Sequence, residues 1–123
     1  MNQQLRNSLF QIETEMNTAI ESFWIVLINE RSEIIGYTML NEGDVDFVDI
    51  DYRKLVKTVI NVDECVEVVI SHNHPSGCVI PSKSDCLATK KIKLLLNEIQ
   101  VDLTDHVIIT DNSHYSFKAN GGM

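Results

Sequence analysis

The feature that most restricts the fold is a run of apolar side chains at successive positions, Phe23 to Ile28, inside SFWIVLIN (residues 22–29). A strand with one wet face alternates apolar and polar residues; a run without alternation must be covered on both faces. A second segment, VEVVIS (66–71), is β-branched and apolar and reads as another interior strand. Strands of this kind call for a sheet with helices on its two faces. With 123 residues, 44% of them hydrophobic, the chain can form one such domain without disulfide staples.

The helices are legible from their spacing. Leu5, Leu9, Ile12, Met16 and Ile20 recur every three or four residues and predict an amphipathic helix over 1–20. Leu55, Val56, Val59 and Ile60 predict a second helix, with Asp49 or Asp51 as its N-cap. Residues 84–100 predict a third, with Ala88, Ile92, Leu95 and Ile99 as its buried stripe. Turns are expected at 29–32 and 41–44, a returning strand at 33–40 and a short strand at 45–50. Two last strands are expected near 107–110 and 115–118, joined through Asp111 and Asn112. The expected organisation is a mixed α/β sheet domain over 21–118, preceded by the helix 1–20 and followed by a frayed tail, 119–123.

Charge and cysteine content narrow the function. The net charge is −8, from ten basic and eighteen acidic residues, which opposes non-specific binding to nucleic acid. Lys83, Lys90, Lys91 and Lys93 share one predicted helix, and a solvated helix face accounts for them. The apolar runs are too short to span a bilayer, and the first residues lack the apolar stretch of a secretory signal. Cys65, Cys78 and Cys86 are an odd set without paired spacing, as expected of reduced thiols in a soluble cytoplasmic protein.

The segment that can carry chemistry follows the second interior strand: Ser71-His72-Asn73-His74-Pro75-Ser76-Gly77, then Pro81-Ser82 and Asp85. It is also the most polar strand end of the chain, and sites in open α/β sheets form at strand ends. Histidines at i and i+2 point the same way at a strand end, and a loop can return Asp85 to them in the first turn of the third helix. Two imidazoles and a carboxylate suit zinc and leave a position for water. Each residue also has a plainer reading. A His-x-His pair occurs on ordinary surfaces. Ser82-x-x-Asp85 fits a capping box, in which Asp85 satisfies helix donors. Glu21 falls where the first helix should end, an unfavourable place for an acid, and so is a candidate proton carrier, although a solvated glutamate is equally compatible with its position. Cys78 reads as a small apolar filler, an alternative metal ligand or a redox-sensitive thiol. His106 fits a structural hydrogen bond or a role behind the metal ligands, and His114 is assigned no role.

The stretch ISHNHPSGCVIPSKSD (70–85) resembles the RadC family of JAB/JAMM-type, MPN-like domains, which carries HNHPSG, a Pro-Ser, and an Asp three residues beyond that serine. The resemblance extends through Thr89, Asp105-His106 with Val107 to Ile109, Tyr115 to Phe117, and Glu21-Ser22-Phe23. It implies a cytidine-deaminase-like α/β sandwich. It further implies that His72, His74 and Asp85 hold Zn2+, that Glu21 acts as general base and then acid, and that Ser82 helps hold an oxyanion. The implied activity is that of a zinc metallopeptidase or isopeptidase on an unidentified peptide or isopeptide substrate, as in JAMM relatives that remove ubiquitin-like tags. The family name suggests DNA repair. RadC-like proteins usually carry an N-terminal helical region, for which the residues before Glu21 are too few. The competing readings are a non-catalytic MPN-like scaffold, a non-haem iron protein with the same two-histidine, one-carboxylate set, and a nucleic-acid-processing protein. The exposed face of the first helix is available to a partner or to a second copy of the chain.

Overall fold

The computed structural model describes residues 3–15, 19–43, 50–111 and 113–123. Their elements, in chain order, are α1 (Gln3–Glu15), β1 (Ser22–Ile28), β2 (Ile34–Glu42), α2 (Tyr52–Ile60), β3 (Glu67–Asn73), α3 (Lys83–Glu98), β4 (Asp102–Ile109) and β5 (His114–Ser116). The strands form one sheet in the order β2-β1-β3-β4-β5. β3 and β4 are parallel, joined through α3, and the other neighbours are antiparallel. This is the expected mixed α/β sheet with helices on both faces.

The unbroken apolar run forms β1, and all seven of its residues are buried. Phe23, Ile25 and Leu27 face α2 and α3, where they meet Leu55, Val59, Ala88, Ile92 and Leu96. Trp24, Val26 and Ile28 face α1 and meet Leu5, Leu9 and Ile12. Burying a large aliphatic or aromatic side chain contributes roughly 1.5–3 kcal/mol, so both layers of helix are needed to cover this one strand. Asp51, rather than Asp49, caps α2 by accepting the Lys54 backbone N–H; Asp49 lies outside the described residues.

Several expectations shift. α1 is described to Glu15, and Ile20 stands in the following turn, 39% exposed, instead of extending the helix face; Met16 lies outside the described residues. The strand expected at 45–50 also lies outside them, apart from the buried Ile50, and so does Asn112 in the last turn. β2 runs on through Asn41 and Glu42, where a turn was expected, because these residues pair with Phe23 and Ser22. Leu96, not Leu95, is the fully buried residue in the last part of α3, since it follows Ala88 and Ile92 at i+4 spacing. The last strand stops at Ser116, and residues 119–123 are not frayed: the Gly122 N–H donates to the Phe117 carbonyl at 2.7 Å, and Met123 packs against the core.

Two shifts bear on the site. β3 extends two residues further than its apolar pattern, so His72 and Asn73 are inside the strand. β4 starts five residues earlier than expected, at Asp102, and carries a bulge: Val68 pairs with Leu103, but Val69 pairs with Asp105. The extra residue, Thr104, reverses which face the rest of β4 presents. Leu103 therefore faces α3, whereas Val107 and Ile109 face α1.

Candidate metal centre

β3 delivers His72 to the α3 face of the sheet, buried to 1% exposure. His74 follows on the same side just beyond the strand, and its backbone N–H bonds to the Ile109 carbonyl. The loop then turns at Gly77, where a positive φ of 82° suits a residue without Cβ. α3 begins with Ser82 as N-cap and brings buried Asp85 back in its first turn. His72 Nε2 lies 2.8 Å from His74 Nε2 and 3.5 Å from Asp85 Oδ1, and His74 Nε2 lies 3.1 Å from Asp85 Oδ2. One ligand atom from each of the three residues lies within 4.8 Å of the other two, close enough for a single ion to be shared among them.

Hydrogen-bond partners assign the tautomers. The Thr89 hydroxyl donates its one proton to the Asp85 carbonyl at 2.7 Å, so it accepts from His106 Nδ1, also at 2.7 Å. His106 is fully buried, and burial pushes its pKa well below the ordinary histidine value, so it is neutral and its Nε2 is bare. That nitrogen accepts from His72 Nδ1 at 2.8 Å, which leaves His72 Nε2 as a lone pair. His74 Nδ1 donates to the Cys78 carbonyl at 2.7 Å, which directs its Nε2 to the same point. Two nitrogen lone pairs and a carboxylate this close repel unless a cation lies among them, either a proton or a metal ion. This donor set fits a divalent metal.

The electrostatics agree. Burial lowers the His72 pKa, against the pull of Asp85. The Asp85 carboxylate, which the ring bonds when it is protonated, raises that of His74, against burial. Burial alone would raise the Asp85 carboxyl, but the hydrogen bonds that both histidines donate when protonated, and the one from the Ser82 N–H, hold it far below the usual carboxylate range. The capping box and the ligand geometry therefore coexist. Asp85 Oδ2 accepts the Ser82 N–H at 2.8 Å while facing His74, Oδ1 faces His72, and the Ser82 Oγ accepts the Asp85 N–H at 3.0 Å. Ser82 keeps its own hydroxyl proton to donate.

Glu21 immediately precedes β1. Phe23 pairs with His72 across the antiparallel strands, so the residues just before β1 lie at the strand end from which His74 follows His72. The Glu21 charge is close enough to favour the protonated forms of both histidines. Asn73 holds the chain on each side of Glu21, accepting the Ser22 N–H at 2.7 Å and donating to the Ile20 carbonyl at 2.9 Å. Sequence reasoning missed Asn73; its place between the two histidines was the available signal. Cys78 contributes its carbonyl, and its sulfur is not among the converging ligand atoms. Lys91 lies 4.3 Å over the Tyr52 ring, a structural use for one of the α3 lysines, and His114 pairs with Glu13 on α1.

A five-stranded mixed sheet flanked by helices, with two histidines and an aspartate gathered at the end of a central strand, defines a JAB-type, MPN-like domain with a group that could hold a metal ion. The family model described as the RadC-like JAB domain matches residues 2–122, and the chain belongs to that family. It is similar to UPF0758 proteins of Flavobacterium johnsoniae (34% identical over 82% of this chain and 44% of the relative) and Fusobacterium nucleatum (34% over 83% and 44%). It is also similar to the UPF0758 protein YeeS of Escherichia coli (31% over 82% and 68%). The chain thus spans less than half the length of the first two relatives. No helix among the described residues is long and apolar enough to cross a membrane.

Proposed function

We propose that this domain is a zinc-dependent hydrolase that cleaves an amide, in a peptide or an isopeptide linkage. The observation that carries the reading is the convergence of the Nε2 atoms of His72 and His74 on the Asp85 carboxylate, with Glu21 just before the adjoining strand. Zinc held there would polarise the scissile carbonyl and make water more acidic. On this reading Glu21 takes the proton from the attacking water and returns it to the leaving amine. Ser82, the N-cap of α3, donates its hydroxyl proton to the oxygen on which negative charge develops. The net charge of −8 favours a protein substrate over DNA. The free thiols of Cys65, Cys78 and Cys86 suit a reducing cytoplasm, where we place this activity.

Metal content of the purified protein, measured by mass spectrometry beside His72→Ala, tests the site. About one zinc per chain, lost in the variant, is the expected result. Cleavage of a peptide and isopeptide panel by wild type but not by zinc-loaded Glu21→Gln then tests the chemistry. Full activity in a variant that no longer holds zinc would refute it.

A further inference from the structure

We infer that Thr89 and His106 act as a positioning relay which fixes the tautomer of His72 and so aims its Nε2 lone pair into the metal group. The inference rests on the zinc reading above and deepens it by assigning work to two residues that touch neither metal nor substrate. The chain of bonds starts and ends at the ligands themselves. The Asp85 backbone carbonyl accepts the Thr89 hydroxyl, which accepts His106 Nδ1–H, and His106 Nε2 accepts His72 Nδ1–H. Its polarity is set at one end, because a carbonyl can only accept. With both imidazoles uncharged, as in the mildly alkaline solution used below, each downstream proton position follows, and the last one leaves His72 Nε2 without a proton.

The fold secures this chain at some cost. Thr89 and His106 are both buried, His106 to 0% exposure, where a polar group without a partner costs about 1–3 kcal/mol. His106 reaches His72 only because of the Thr104 bulge. Without the added residue, the pairing that sets Val68 beside Leu103 would carry on to set Ser71 beside His106, and the imidazole would face α1. With it, His106 pairs with Ile70, on the face that carries His72. The ring is then held flat against Phe117, 4.4 Å between centroids at 7°. A histidine serving only to fill the core would need no bulge to reach a metal ligand, and no acceptor of fixed polarity behind it.

Long-range proton–nitrogen correlation spectra of isotope-labelled full chain, stripped of metal with a chelator at mildly alkaline pH, report the imidazole tautomers directly. Wild type should show His72 and His106 each protonated on Nδ1. Thr89→Val should turn both into tautomer mixtures and weaken the affinity for added zinc ion by about 10–100-fold. Thr89→Ser, which restores the hydroxyl, should recover both. If Thr89→Val does not fold, His106→Leu against His106→Gln makes the same comparison, since only glutamine offers an oxygen to His72 Nδ1–H. A single Nδ1–H tautomer for His72 in Thr89→Val and in His106→Leu would overturn the relay. Wild-type tautomers as stated, disturbed by Thr89→Val, in a protein that takes up no zinc would uphold the relay and overturn the zinc reading instead.

Discussion

The side-chain oxygen of Asn73 accepts the backbone N–H of Ser22 at 2.7 Å, tying the strand end between His72 and His74 to the first residue after Glu21. The same amide donates to Ile20, so one side chain grips the chain on both sides of Glu21. Asn73→Ala should keep zinc, because His72, His74 and Asp85 are untouched. It should cost about 1–3 kcal/mol of stability from the lost buried bonds and lower kcat by up to about 100-fold through misplacement of Glu21. Metal content, thermal denaturation and turnover measured on one preparation check this; unchanged turnover in a destabilised protein would make Asn73 purely structural.

The ligands and the base should separate cleanly. His72→Ala and Asp85→Ala should each lose zinc. Glu21→Gln should retain it and lose about 100- to 10,000-fold in kcat, the range of a general acid–base contribution. Zinc titration with a chromophoric chelator, beside peptidase assays, reads both quantities.

Ser82 caps α3, and a single alanine substitution would confuse that role with the proposed oxyanion contact. Ser82→Ala removes the N-cap of α3, worth about 1 kcal/mol. Glycine at an N-cap costs only a few tenths of that, so Ser82→Gly should be nearly as stable as wild type. If Ser82 also donates to the developing oxyanion, both variants should lose about 100- to 1,000-fold in kcat. An active Ser82→Gly would leave Ser82 as a cap alone.

The metal-free protein should weaken in mild acid. His106 has a folded pKa well below the ordinary 6.5, so the unfolded chain binds its proton first. Stability from this group is therefore intact above pH 6.5 and declines as the pH falls from there towards the folded pKa, by up to about 1.4 kcal/mol per pH unit. His72, also lowered by burial, acts in the same direction, whereas His74, raised by its bond to Asp85, opposes it. Urea denaturation with chelator present, at neutral and mildly acid pH, should show this slope, reduced in His106→Gln. Equal slopes in wild type and His106→Gln would mean that His106 is not buried neutral.

Much of this protein can be read without its coordinates, and the reason is local. β1 declares itself because seven successive buried positions leave no polar alternation, and α3 declares its start because Ser82 and Asp85 satisfy helix donors that any helix leaves unpaired. The ligand set was legible because a strand alternates with period two, so that His72 and His74 share a side wherever the strand lies. What the chain could not reveal depends on pairing between distant segments. Glu21 comes next to the histidines only through the register that matches Phe23 to His72. The extension of β3 through His72 and Asn73 was hidden because polar residues there are buried by partners, not by their own apolarity. The orientation of His106 turns on one bulged residue, Thr104, which carries no local signal, yet reverses a face because side chains alternate along a strand. Spacing along the chain thus determined which residues could hold a metal; only the packed sheet decided which carboxylate lies near them and which histidine stands behind them.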